Sequence, residues 1–221
     1  MKREVIAELL DDDLGTPEEV AQSLKDLRHI NNWFGGTSTT AKLLRRVAHE
    51  TDQSELSLLE IGAGLGDVPL EARRALASVG IGLRVTLLDR LWSHLPSNGT
   101  SAVSGDAMRL PFRDGAFDVV SCSLFAHHFE PETLALLAKE AMRVAKRALL
   151  INDLIRSRLH LLLVYAGLPL FRSRITWHDA PASVRRAYTI AEMKSLLAGV
   201  PAARVEFSRH FLFRMGVLMW K

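Results

Sequence analysis

Residues 60–67 read Glu60-Ile61-Gly62-Ala63-Gly64-Leu65-Gly66-Asp67, a carboxylate followed by glycines at alternate positions. Glycine carries no Cβ, so such a turn lets a ligand come close to the backbone. The spacing is G-x-G-x-G, not the G-x-G-x-x-G of dinucleotide sites. Glu60 discriminates further, because a carboxylate just ahead of the first glycine repels a pyrophosphate at the helix N-terminus. An acid there suits a ligand whose nearest group is cationic. Three more stretches carry polar groups that could meet the same ligand. Asp89 closes the strand-like stretch 83–88, Asp106 sits in Gly105-Asp106-Ala107-Met108-Arg109-Leu110-Pro111-Phe112, and Ser121-Cys122-Ser123 follows Phe117-Asp118-Val119-Val120. Ligands of open α/β sheets bind at the carboxyl ends of the strands, which is where these residues emerge.

Parallel strands would bring these stretches together. Residues 57–61, 83–88, 101–104, 117–122 and 147–152 read as strands, with helices at 67–78 and 131–144. This alternation predicts a parallel sheet with helices on both faces. Residues 204–208 and 211–218 are two strands with no room for a crossover helix, so they must pair antiparallel. At the other end, a start helix is followed by Thr16-Pro17-Glu18-Glu19, which supplies an N-cap, a first-position proline and first-turn acids. That helix is expected to reach about residue 31, where Asn31-Asn32-Trp33-Phe34-Gly35-Gly36-Thr37 breaks it, and another follows through Leu43, Leu44 and Val47. No internal repeat or low-complexity linker divides the chain, and 221 residues fit one domain. Within 1–221 the expected parts are a helical cap (1–50), a core (56–154), a variable segment (155–188) and a C-terminal helix with the strand pair (189–221).

Composition narrows the partners. Hydrophobic residues at 48% and charged residues at 24% are a globular balance. A net charge of +3, with arginines scattered as Arg45-Arg46, Arg73-Arg74 and Arg185-Arg186, does not point to nucleic acid. The one cysteine, Cys122, excludes an intrachain disulfide and a cysteine-rich zinc site. The N-terminus turns acidic at residues 11–13 before a signal-peptide core develops, so a cytoplasmic protein is expected. The longest apolar run, 159–171, is interrupted by His160, Gly167 and Pro169 and is shorter than the about 20 residues of a bilayer span. Peripheral membrane contact stays open. No motif bears on oligomeric state.

S-adenosylmethionine, with its α-ammonium and sulfonium, fits the cationic requirement at Glu60. From residue 56 to 221 the chain resembles a class I S-adenosylmethionine-dependent methyltransferase, of the group that includes the ubiquinone and menaquinone biosynthesis methyltransferases. The resemblance implies a Rossmann-like, mostly parallel seven-stranded α/β sheet with a C-terminal antiparallel pair. It also implies roles: Glu60 and the backbone around Gly62, Ala63, Gly64 and Gly66 surround the methionine part of the donor, and Asp89, with Arg90 beside it, takes the ribose hydroxyls. Asp106 would read the adenine amino group and the Ala107 amide would meet the ring. Ser121, Cys122 and Ser123 would lie where donor and acceptor meet. There is no Asn/Asp-Pro-Pro-Tyr motif, which argues against adenine-N6 and glutamine-N substrates. The metal-dependent catechol branch needs acids that this chain replaces by Ser121-Cys122-Ser123, with only Asn152-Asp153 at the fifth strand, so no metal is expected.

Methyl transfer from a sulfonium is an in-line displacement, and the protein's task is to align the partners in a dry pocket. A carboxylate acceptor needs no base, whereas a phenol, with a pKa of about 10, gains from one. His127, His128 and His178 are the candidates, the first two by the fourth strand and the third on a loop expected to cover the sheet edge; Asp153 and Tyr188 are further ones. The segment 155–188 is expected to form a lid with an apolar inner face, joined by Trp33 and Phe34, over a small hydrophobic, phenolic or polyketide-like acceptor. Its stretch 173–189 is similar to bacterial methyltransferases associated with type III polyketide synthases. A quinone-precursor or lipid-like acceptor, or donor binding without transfer, are the competing readings.

Overall fold

The structure, a computed structural model, describes residues 1–12, 14–97 and 99–221; Asp13 of the acidic run lies outside them. Among these residues the strands are β1 (Glu55–Ile61), β2 (Gly82–Asp89), β3 (Ser101–Ser104), β4 (Phe117–Ser123), β5 (Ala145–Leu154), β6 (Arg204–His210) and β7 (Arg214–Trp220). They form one sheet in the order β3-β2-β1-β4-β5-β7-β6. β1 to β5 are parallel, and β7 pairs antiparallel with both β5 and β6. The expected Rossmann-like sheet with its closing antiparallel pair is therefore present. The strand order reverses between β1 and β4, which leaves a crevice at their carboxyl ends.

The helices are α1 (Pro17–Trp33), α2 (Gly36–Glu50), α3 (Asp67–Ala77), α4 (Pro131–Val144), α5 (Arg158–Gly167), α6 (Arg174–Arg186) and α7 (Ile190–Leu197). Strand alternation divides the core. Leu58, Leu87, Val119 and Leu150 face α2 and α3, where they meet Leu44 and Val47. Leu59, Val120, Leu149 and Val217 face α4 and α7, against Leu134, Leu137 and Met193. Buried on both sides, these strands read as near-continuous apolar runs.

Three local expectations change. The glycine break after α1 shrinks to Phe34 and Gly35, since α1 runs through Trp33 and α2 begins at Gly36. The start helix is absent: residues 1–8 are irregular and lead into a 3-10 turn, Leu9–Asp12. Tertiary partners satisfy this backbone instead. Glu4 N donates to Arg185 O, while Leu9 N and Leu10 N donate to the two carboxylate oxygens of Asp179. The segment holding His178 is helical rather than a loop, with Ser173 capping α6 by accepting from Ile175 N. Among the described residues no helix is long and apolar enough to cross a membrane.

Candidate active site

A cavity of about 780 Å³ opens at the carboxyl ends of β1, β2 and β4 and continues beneath α5 and α6. That volume is within the range of small-ligand sites. Its first half is built from the glycine turn. Glu60, next to last in β1, has 1% of its surface exposed and accepts hydrogen bonds from Ser121 Oγ and from Ser123 N, the latter at 2.9 Å. Burial pushes its carboxyl above the usual range, against the opposing effect of the two serine hydrogen bonds. Gly62 follows at φ +64, and a Cβ there would lie 2.4 Å from the Phe125 ring, so only glycine lets the turn pass. Gly64 N donates to Asp89 Oδ2 at 2.9 Å and Leu91 N to Asp89 Oδ1 at 3.1 Å. Asp89 thus pins the turn while each oxygen keeps a lone pair for a ligand. Asp106 Oδ1 accepts from Met108 N at 2.8 Å, and its neighbour Gly105 donates to Asp89 O.

The second half holds titratable groups in an apolar frame. Leu124, at φ +55, turns the chain out of β4 into the 3-10 turn Ala126–His128. His127 is 2% exposed, and its N–H and Nδ1 both meet Asp153, at 2.9 and 2.7 Å. Its Nε2 lies 3.4 Å from Glu8 Oε1. Burial would depress this imidazole, but the charges of Asp153 and Glu8 outweigh it and raise the pKa to about 10. Burial acts to raise Asp153 and Glu8, and His127 brings both below the usual range. His128 Nδ1 lies 3.0 Å from Asp11 Oδ2. Phe34, Leu163, Val164, Leu168 and Phe171 form apolar walls.

Two buried bases complete the lining. His160 stacks on Phe213 and holds Ile155 O through Nδ1 at 3.0 Å; burial lowers its pKa to about 4. Arg214 is 1% exposed, donates to Phe34 O and Asn31 Oδ1, and leaves Nη1 without a partner among the described residues.

Of the residues singled out in the sequence, Glu60, Gly62, Ala63, Gly64, Asp89, Arg90, Asp106, Ala107, Ser123, His127 and His128 line this cavity. Four do not. Gly66 faces β2, where a Cβ would meet Leu87 at 2.5 Å, so it serves packing. Ser121 lies wholly buried behind Glu60. Cys122 points to the opposite face of β4, into the α4 core, because side chains alternate along a strand. His178 lies on the outer side of α6, bonded to Asp179. Asp153 supports His127 from behind, Tyr188 donates to Phe129 O, and Trp33 is exposed and stacks on His29. Glu8, Asp11, His160 and Arg214 were missed. For the last two a signal existed, a lone base in an apolar run; Glu8 and Asp11 had none, since only the tertiary fold brings them to the cavity.

The sequence family described as a methyltransferase domain matches residues 59–149, from β1 into β5. The chain carries an S-adenosylmethionine-dependent methyltransferase domain. No curated protein sequence matches it. Among solved structures, a protein from Anabaena variabilis ATCC 29413 described as a methyltransferase from an antibiotic biosynthesis pathway is similar at 22% identity and TM-score 0.52, over 76% of this chain and 64% of that one. The plantazolicin methyltransferase BpumL, solved with a pentazolic desmethylPZN analog and SAH, is similar at 13% identity and TM-score 0.69, over 97% and 95% of the two chains. Magnesium protoporphyrin IX methyltransferase (ChlM) from Synechocystis PCC 6803, with bound SAH, is similar at 17% identity and TM-score 0.53, over 84% and 83%. At these identities the likeness is one of fold. The matched part of the methyltransferase domain contains the first half of the cavity, whereas Glu8, α5 and α6 lie outside it.

Proposed function

We propose that this methyltransferase methylates a small, hydrophobic, phenolic or polyketide-like acceptor. One observation carries the reading: a single cavity joins the carboxylates of Glu60, Asp89 and Asp106 to an apolar chamber that ends in His127, His128 and Glu8. Bound S-adenosylmethionine supplies an electrophilic methyl on a sulfonium. Around it, Glu60 faces the cationic methionine end, Asp89 takes the ribose hydroxyls and Asp106 with the Ala107 amide takes the adenine. Phe34, Leu163, Val164 and Phe171 orient an aromatic acceptor and exclude water, and the polar groups at the far end receive its hydroxyl. BpumL, which shares this fold, was solved with a pentazolic desmethylPZN analog and SAH, which is consistent with an acceptor bound beside the donor.

The test is SAH formation from S-adenosylmethionine with phenols of graded size, against matched benzoates and adenosine. Phenol-dependent SAH release is expected; release with adenosine alone, or with none of these, overturns the reading. A lipid-like acceptor is favoured by one observation, the outward display of Leu159, Leu162 and Leu170 at 56–67% exposure. Co-sedimentation with anionic lipid vesicles supports that alternative, and its failure removes it.

A further inference from the structure

We propose that Glu8, His127 and His128 form a binding site for one divalent transition-metal ion at the acceptor end of the cavity. Glu8 Oε1 lies 3.4 Å from His127 Nε2, and Glu8 Oε2 lies 3.9 Å from His128 Nε2. One ligand atom from each residue falls within 4.8 Å of the others. Ligand atoms around a tetrahedral zinc are about 3.3 Å apart, given bonds of about 2.0–2.1 Å. The gap is thus close to the size of an ion, and a small inward shift closes it.

Three features distinguish this arrangement from an ordinary buried ion pair. His127 Nε2 is buried without a hydrogen-bond partner among the described residues, although a carboxylate oxygen stands 3.4 Å away. That spacing is long for a hydrogen bond and suited to two ligands sharing an ion. Next, each imidazole is held at its other nitrogen by a carboxylate, Asp153 at 2.7 Å on His127 and Asp11 at 3.0 Å on His128. With Asp153 and Asp11 holding a proton on each Nδ1, an incoming ion that displaces the Nε2 proton of His127 to solvent meets Nε2 lone pairs aimed toward Glu8, the arrangement that fixes the tautomer of metal-ligating histidines. Finally, Glu8 is positioned: Ser183 Oγ donates to it at 2.9 Å, and Asp179 fastens the following turn.

Two imidazoles and one carboxylate suit zinc or another first-row ion better than magnesium or calcium, and they leave coordination positions open toward the cavity. Resting on the acceptor reading above, the ion supplies a Lewis acid that draws an aryl hydroxyl to this end and eases loss of its proton to water. None of the three residues is among the catechol-type ligand positions from which no metal is expected.

The test titrates chelator-treated protein with Co²⁺ alone and with Zn²⁺ alone, and measures SAH binding separately. One equivalent should bind, with visible Co²⁺ bands of a four- or five-coordinate nitrogen–oxygen set. Glu8→Gln and His128→Gln should each weaken Co²⁺ binding at least on the order of tenfold, with circular dichroism melts showing both variants folded. Replacing His127 strands the buried Asp153, so Glu8 and His128 carry the test. No stoichiometric uptake, or uptake unchanged in both variants, overturns the site. Co²⁺ binding without SAH binding supports the metal site and counts against the donor placement instead.

Discussion

At the residue scale, the acids of the donor half were legible because each sits within two residues of a strand's carboxyl end, and a strand end is a local feature of sequence. Glu60 gives a direct prediction. Burial raises its pKa, and a cation beside it favours the ionised form, so SAH affinity should rise with pH through the Glu60 titration. Glu60→Gln should weaken SAH by roughly tenfold or more, the scale of a charge-assisted hydrogen bond, and flatten that pH dependence. Calorimetric titration at acid and neutral pH checks this; wild-type affinity and slope in the variant contradict it. His160 titrates in the other sense. Its unfolded pKa is about 6.5 and its folded pKa about 4, so the unfolded chain takes the proton first. Its contribution is intact above pH 6.5 and is lost as pH falls toward 4, by at most about 3 kcal/mol. Urea unfolding of wild type and His160→Gln should converge in pH dependence only above that window. A difference between them that does not vary with pH contradicts the assignment.

At the element scale, strands and capped helices followed from periodicity and end signals. Thr16, with Glu19 N bonded to its hydroxyl and Glu19 returning the bond to its backbone, starts α1 as the sequence indicates. The misses are places where tertiary packing overrides local signals. The stretch around His178 reads as loop, yet α6 forms, with Pro181 inside it, because it packs against α1, α5 and the N-terminal turn. The start of the chain reads as helix, yet the N–H groups of Glu4, Leu9 and Leu10 bond to residues of α6 instead. Asp179 is the fastening, so Asp179→Ala removes two acceptors for backbone N–H groups, at a cost of about 1–3 kcal/mol. Hydrogen exchange should quicken at residues 4–12 in that variant while β1, β4 and β5 keep their protection. Unchanged exchange there contradicts the fastening role.

At the scale of the whole molecule, the cavity divides along the same line as legibility. Its donor half comes from one stretch, residues 60–123, and its motifs lie in order along the chain. Its acceptor half is assembled from residues near 8, 31, 127, 160 and 214, and no local pattern announces that these meet. The two halves should respond separately to substitution. Val164→Trp, which fills the apolar chamber, should raise the acceptor KM on the order of tenfold while SAH affinity changes little. Equal losses in both contradict a divided cavity. The most direct measurement is a crystal structure with SAH and a phenolic acceptor bound together. SAH should lie along Glu60, Asp89 and Asp106 with its sulfur toward α5, and the phenol oxygen should sit among Glu8, His127 and His128. A phenol bound outside this chamber, or SAH away from those three carboxylates, contradicts the placement of donor and acceptor in one cavity.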